Sequence, residues 1–242
     1  MTMIAMAAAP ASGATGGVVA GGEAQAGSTT PTAVKPAAPS VPHAPITARS
    51  SRLTYTGPVY EKTASGEIVP YAQPEPVGQI SSATGGSSVV GVVTNAKPLL
   101  LVPGSRARYI KGLAAAPMAA PAAVQEMIWA ANEIIGLPYI FGGGHASFES
   151  PGYDCSGTVS FALHGAALLK TPEDSSEFES YGSHGIGRWV TIFANPGHAY
   201  VDIAGLRLDT SAADDPSNQQ GPRWRPLRRA NAGYVLRHPV GY

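Results

Sequence analysis

The sequence has one cysteine, few charged side chains and no long apolar run. A single cysteine, Cys155, excludes an intramolecular disulfide. Only 13% of the 242 residues are charged and the formal net charge is zero, so no broad positive field attracts phosphates and nucleic-acid binding is not expected. No apolar run is long enough to span a bilayer, and we predict no transmembrane segment.

Charge and large apolar groups are scarcest in the first part of the chain. Through residue 50 the only acidic or basic side chains are Glu23, Lys35 and Arg49. Such a segment cannot bury enough surface to offset the entropy of ordering its backbone. We therefore predict a low-complexity tether rich in Ala, Gly and Pro over residues 1–117, with room for short β pieces after residue 51, and a folded domain over 118–242.

Two helices open the predicted folded domain. Apolar residues fall on one helical face over 122–135, and Gly136 follows as a stop. A second helix should begin after Asp154, a good N-cap residue, and end near Gly165. Cys155 then lies in the first turn of this second helix.

Strand-like segments follow the helices. They are predicted over 189–194, 198–203, 206–209 and 234–237. Helices followed by an antiparallel sheet indicate an α+β fold.

A cluster of arginines lies between the last two of these segments. Arg223, Arg225, Arg228 and Arg229 surround Trp224. A contact with an anionic partner is one interpretation, but an ordinary solvated edge is more common for such clusters. We predict a solvated edge and assign these arginines no role.

Cys155 is a candidate nucleophile, with a buried inert thiol as the alternative. A thiol reacts as its thiolate, and the reference pKa of about 8.5 leaves little thiolate at neutral pH. A helix N-terminus stabilises the anion through its unpaired amides and its dipole. Because the charge of Asp154 opposes this effect, a second helper is needed, and an imidazole is the natural one.

His198 is the favoured partner for the thiol among six histidines. It opens a predicted strand after a turn, so a rigid strand can direct its ring at the helix end. His145 and His184, in glycine-rich loops, stay open as alternatives.

A carboxylate can orient the ring of His198. If residues 204–205 form a two-residue hairpin loop, Asp209 lies on the same face of the sheet as His198. Asp202 shares that face and is the rival. Because its expected cross-strand neighbour is Arg207, a surface ion pair is the better interpretation of Asp202.

Three strings in the folded half resemble the NlpC-type cell-wall cysteine peptidases, the family of NlpC and the sixty-kilodalton invasion protein. GYDCSGTVSFALHG at 152–165 resembles the family's nucleophile helix, LPYIFGGG at 137–144 its segment with Pro, Tyr and paired Gly, and NPGHAYVDIAG at 195–205 its histidine strand. The resemblance covers residues 122–242. It implies a papain-like fold, in which the cysteine helix packs on a sheet that supplies the histidine and a third polar group.

The resemblance also implies roles for further residues. The family's third position is commonly histidine, whereas Asp209 stands at or beside it here, and a carboxylate can hold the imidazole and stabilise its charged form. Tyr139 would project its hydroxyl into the site, and Asp154 and Ser156 would help receive the substrate's free amine. On residue chemistry alone, Tyr139 is equally a packing aromatic and Asp154 equally a helix cap. The amide of Cys155 would contribute to an oxyanion hole.

The function that the resemblance implies is a peptidoglycan endopeptidase. It would cut stem peptides between D-glutamate and the following diamino acid through a covalent thioester. Two alternatives stay open: an amidase or acyltransferase with the same Cys-His pair, and a catalytically inactive wall-binding domain. We predict no metal and no cofactor, because no pair of His or Cys has close ligand spacing. The oligomeric state is left open.

Residues 3–14 bear on the expected location of the protein. They are rich in alanine and end in small residues, as the tail of a secretory signal does, but they lack a basic leader. We therefore expect a truncated or misplaced start and a secreted or cell-wall-associated protein.

Overall fold

The computed structural model describes residues 44–47, 54–72, 97–225 and 229–242. Residues 1–43 of the predicted tether lie outside these ranges. The described chain combines helices with two sheets that are mainly antiparallel, which is compatible with the expected α+β class. No helix within the described ranges is long and apolar enough to cross a membrane.

A five-stranded sheet precedes the first helix. In chain order its strands are β1 (Tyr60–Lys62), β2 (Ile68–Pro70), β3 (Leu100–Val102), β4 (Arg108–Ile110) and β5 (Leu113–Pro117). The order across the sheet is β2-β1-β3-β5-β4, and β3 pairs with β5 in parallel.

This first sheet corrects the predicted boundary between a tether over 1–117 and a domain over 118–242. Leu101 and Ala114 are buried and belong to the same apolar core as the helices and the second sheet. The described residues all fall within one unit, Pro42–Tyr242. Strand β3 coincides with one of the short β pieces expected after residue 51, at 99–102. The other four strands were not predicted, because three of them have only three residues and β5 contains alanines, which are depleted in strands.

Helix α1 (Ala122–Ile134) confirms the first predicted helix and buries one face in the core. Gly136, with φ of 93°, takes the left-handed conformation just beyond the helix end. The side chain of the buried Asn132 pairs with both backbone groups of Ala114 at 2.9 Å and accepts a hydrogen bond from Trp224 at 2.8 Å. One satisfied amide thus joins α1 to both sheets.

Helix α2 (Cys155–Gly165) confirms the second predicted helix. Asp154 caps it, accepting a hydrogen bond from the amide of Gly157 at 2.8 Å. At the other end, a Cβ on Gly165 would lie 2.2 Å from the Cβ of Ala130, so glycine permits the close approach of α2 to α1. Helix α2 also packs against the second sheet.

The second sheet has six antiparallel strands. In chain order they are β6 (Ser183–His184), β7 (Val190–Asn195), β8 (His198–Ile203), β9 (Leu206–Asp209), β10 (Arg223–Arg225) and β11 (Val235–His238). The order across the sheet is β10-β9-β8-β7-β11-β6. The four predicted strands are confirmed as β7, β8, β9 and β11, whereas β6 and β10 were not predicted.

The loop between β8 and β9 is the predicted two-residue hairpin. Ala204 and Gly205 have φ of 48° and 92°, as a turn that matches strand twist requires. In this register Val201 faces Leu208 and Asp202 faces Arg207. His198, at the start of β8, and Asp209, at the end of β9, therefore come to the same end of the hairpin.

Candidate active site

Cys155 is the first residue of α2 and is partly exposed. Burial raises the pKa of its thiol, but a hydrogen bond with His198, a hydrogen bond with the backbone of Ala199 and the charge of His198 outweigh it. The pKa of Cys155 is therefore lowered. The negative charge of Asp154 acts in the opposite direction, as the sequence predicts.

His198 is held in place from both sides. Asn195 accepts hydrogen bonds from the amides of Gly197 and His198 at 2.9 Å each, which fixes the turn before β8. The Nε2 atom of His198 lies 2.9 Å from Oδ1 of Asp209. Because Nε2 is engaged by Asp209, Nδ1 is the ring nitrogen left for the hydrogen bond with Cys155.

The imidazole of His198 retains its proton above neutral pH. Burial lowers the pKa of His198, but the hydrogen bonds with Asp209 and Cys155, together with the charges of both partners, raise it to about 9. A lowered thiol pKa beside a raised imidazole pKa favours a thiolate–imidazolium pair.

Asp209 is the third member of the group, and its side chain is fully buried. Besides His198, its carboxylate accepts hydrogen bonds from the amide of Ser211 at 2.8 Å and from Nη1 of Arg229 at 3.1 Å. The Nε atom of Arg207 lies 3.7 Å away. Burial raises the pKa of Asp209, but the hydrogen bond and charge of His198, with the other contacts, lower it overall. The buried carboxylate is therefore ionised.

The expected surface ion pair between Asp202 and Arg207 is wrong in one respect. The two residues face each other across the hairpin as predicted, but they are only 6% and 1% exposed. The hairpin is central in the sheet, and its turn is covered by the first sheet's β3–β4 loop, where Ala107 donates a hydrogen bond to Ala204 at 2.9 Å. Because the sequence analysis assigned the β3–β4 loop to the tether, it did not predict that this loop covers the turn of the hairpin.

The predicted solvated edge of arginines is also corrected. Arg225 is 2% exposed and donates to Asp215 at 2.8 Å and to several backbone carbonyls. Trp224 is buried, and Arg223 is half-buried. Arg228 lies outside the described residues. The reason is β10, which pairs with β9 and so brings these side chains into the sheet.

Arg229 is a site residue that the sequence analysis missed. In addition to its hydrogen bond with Asp209, its guanidinium lies 5.5 Å from the ring centre of Tyr200 and 5.6 Å from that of Tyr234. The ring of Tyr234 lies edge-on to His198, with centroids 6.4 Å apart. The sequence did contain a signal for Arg229. An ionised aspartate that is buried beside an imidazole needs a nearby cation, and the arginine cluster could supply one.

The other predicted site residues lie beside Cys155. Tyr139 is 41% exposed, and its pKa is raised by burial and by the negative charges of Cys155 and Asp154. Asp154 and Ser156 are buried. The ring of His145 contacts both, its Nε2 lying 3.0 Å from Asp154 and 3.0 Å from the hydroxyl of Ser156. This contact was not predicted.

The structure distinguishes His145 from His184, the two histidines left open as alternatives to His198 as the partner of Cys155. His145 joins the group at the start of α2, whereas His184 lies in the edge strand β6, three strands away from β8. Within the ranges that the structure covers, no three His, Cys, Asp or Glu side chains gather closely enough to hold a metal ion.

Comparison with known proteins adds no assignment. No family model and no curated protein matches the sequence.

Proposed function

We propose that the chain is a secreted or cell-wall-associated cysteine peptidase that cleaves peptidoglycan stem peptides between D-glutamate and the diamino acid. The observation that carries the proposal is the hydrogen-bonded series from Cys155 through His198 to the buried Asp209. A thiol at a helix N-terminus, an imidazole and a group that orients the imidazole are the parts that acyl transfer by a cysteine requires. A papain-like arrangement of helix and sheet is part of the proposal.

The first half of the reaction forms a thioester. The thiolate of Cys155 attacks the scissile carbonyl, and the negative charge moves to the carbonyl oxygen. In this proposal the amide of Cys155, at the positive end of α2, donates a hydrogen bond to that oxygen. The imidazolium of His198 donates its proton to the leaving nitrogen as the C–N bond breaks, and the diamino acid departs as an amine.

The second half regenerates the enzyme. Neutral His198 removes a proton from water, the resulting hydroxide attacks the thioester, and the carboxyl product leaves as Cys155 regains its thiolate. Asp209 stabilises the charged form of the imidazole throughout and keeps Nδ1 directed at the sulfur. Arg229 and Arg207 in turn compensate the charge of Asp209 in its buried site.

The choice of bond rests on the resemblance of the three strings at 137–144, 152–165 and 195–205 to the NlpC-type family. The chemistry rests on the contacts of the described residues. These two parts of the proposal are separable by experiment, because an active thiol with a different acyl substrate would retain the chemistry and change only the bond.

The test is mass spectrometry of soluble fragments released from purified peptidoglycan by the full chain and by Cys155→Ala. We expect fragments that end at D-glutamate with the wild type and none with the variant. Release of intact stem peptides from the glycan would instead indicate an amidase. No fragments from folded, reduced wild-type protein would contradict the proposal.

A further inference from the structure

His145 covers the polar group at the start of α2. Its side chain is 34% exposed, whereas that of Asp154, directly beneath it, is 5% exposed. The preceding glycines fix its position: a Cβ on Gly143 would lie 2.3 Å from the carbonyl oxygen of Gly152, and one on Gly144 would lie 2.7 Å from Tyr153. The loop is thus pressed against the residues before α2, and the backbone of His145 is held close to Asp154.

The carboxylate of Asp154 has little capacity left for a further donor. Oδ1 accepts from the amide of Gly157 at 2.8 Å, and Oδ2 accepts from the amide of Gly142 at 2.9 Å. Nε2 of His145 lies 3.0 Å from both oxygens. This nitrogen carries a proton, because a lone pair facing the carboxylate would be repelled. Ser156 makes its contacts with the same His145 and Asp154.

A cationic group approaching from solvent therefore meets an imidazole and not a carboxylate. An ammonium that gives up water here gains no direct hydrogen bond with the carboxylate, because both oxygens of Asp154 already accept from backbone amides and from His145. A neutral amide nitrogen at the same place carries no charge, so it loses less free energy than an ammonium on leaving water. The cluster of His145, Asp154 and Ser156 lies next to the sulfur of Cys155, since Asp154 precedes Cys155 and the charge of Asp154 raises the pKa of the thiol.

We infer that His145 is a specificity-determining residue that makes the chain act on stem peptides whose N-terminus is acylated, as in the glycan-linked wall, in preference to peptides with a free amine. This inference rests on the proposed function, whose cleaved bond it adopts. It also replaces the expectation that Asp154 and Ser156 receive a free amine, because both are engaged by His145.

The test uses two synthetic stem peptides that contain the D-glutamate to diamino acid bond and differ only in N-terminal acetylation. For the wild type we expect kcat/KM on the acetylated peptide to exceed that on the free amine. In His145→Ala the carboxylate is uncovered, and the ratio should move towards the free amine by about tenfold or more, the usual effect of one charge-assisted hydrogen bond.

Two further variants are the controls. His184→Ala removes a histidine far from the site and should keep the wild-type ratio. His145→Gln can still donate to Asp154 and should stay closer to the wild type than His145→Ala, which shows that an effect comes from the contact and not from misfolding. Thermal melting of each variant checks the fold.

A wild-type kcat/KM on the free amine that equals or exceeds that on the acetylated peptide, or an unchanged ratio in folded His145→Ala, would overturn the inference and leave the proposed function standing. Failure of the wild type to cleave either peptide would contradict the proposed function itself, and the inference with it.

Discussion

Two buried aspartates near Cys155 each hold a histidine at about the same distance. Nε2 of His198 lies 2.9 Å from Asp209, and Nε2 of His145 lies 3.0 Å from Asp154. By distance alone the two pairs are equivalent. Their surroundings differ, and the surroundings decide what each pair can do.

The pair of His198 and Asp209, in the second sheet, has the surroundings that the proposed proton transfer requires. Asp209 is fully buried and is compensated by Arg229 and Arg207, while the second nitrogen of His198 is free to face the thiol. The pKa of His198 is raised to about 9, chiefly by hydrogen bonds with Asp209 and Cys155 that outweigh burial.

The pair of His145 and Asp154, at the start of α2, holds the glycine-rich loop at 142–145 in place. Asp154 is held by two backbone amides as a helix cap, and His145 uses one nitrogen for both Asp154 and Ser156. A histidine–aspartate distance is therefore a poor guide to function. The informative features are what the other ring nitrogen faces and whether the carboxylate is held by arginines or by a helix N-terminus.

The largest expected effect separates the two histidines. Cys155→Ala and His198→Ala should each lower turnover by roughly 10⁴-fold or more while the protein stays folded, because each removes a group that makes or breaks the bond. His145→Ala should stay within about tenfold of wild type on the acetylated peptide. Steady-state kinetics with circular dichroism as a folding check measures this. Similar losses of turnover in His198→Ala and His145→Ala would contradict the distinction between the two histidines.

A second expected effect separates the two aspartates. Asp209→Asn should lower turnover by about 10³-fold, less than loss of the base itself, because Asp209 acts through His198. It should also lower the pKa of His198 from about 9, since that carboxylate is the largest raising influence. Asp154→Asn keeps a good cap and should lower the pKa of Cys155 by removing an opposing charge. NMR titration of the imidazole and alkylation of the thiol follow the two pKa values, and shifts of the opposite sign would contradict the account.

The third and smallest expected effect tests the role of Arg229 beside Asp209. Arg229→Gln should lower turnover by about tenfold, because Asp209 loses one charged hydrogen bond but keeps Arg207 and the amide of Ser211. Arg237→Gln is a matched control, since Arg237 contacts the backbone of residues 180–182. An equal loss in both variants would mean that the effect is one of general stability. Kinetics at one pH with thermal melting distinguishes these outcomes.

The parts of the site that could be predicted are those set by local signals. Asp154 as a cap, Cys155 in the first turn and the hairpin at 204–205 follow from short-range backbone preferences. The hairpin register then brings Asp209 to the face of His198, and the choice of Asp209 over Asp202 used the expected pairing of Asp202 with Arg207. The NlpC-type assignment and the roles that it implies remain proposals.

The parts that escaped prediction depend on contacts between distant segments. The burial of Asp202 and Arg207 requires the first sheet, and even where a short strand such as β3 can be predicted, its sequence does not show what the sheet packs against. The contact of Arg229 with Asp209 joins residues that are 20 positions apart in the chain, and no local signal predicts it. The contact of His145 with Asp154 depends on how a glycine-rich loop closes, which no periodicity describes.

The most direct test of the central claim is the pH dependence of Cys155 alkylation by iodoacetamide, in wild type, His198→Ala and His145→Ala. The pKa of Cys155 is lowered by its contacts with His198, so alkylation of the wild type should stay fast well below the pH at which an ordinary thiol ionises. His198→Ala should move the midpoint to higher pH, because the hydrogen bond and positive charge that favour the thiolate are lost. His145→Ala should leave it in place. A wild-type midpoint like that of an ordinary thiol, or one that His198→Ala does not change, would contradict the claim that this pair is the reactive centre.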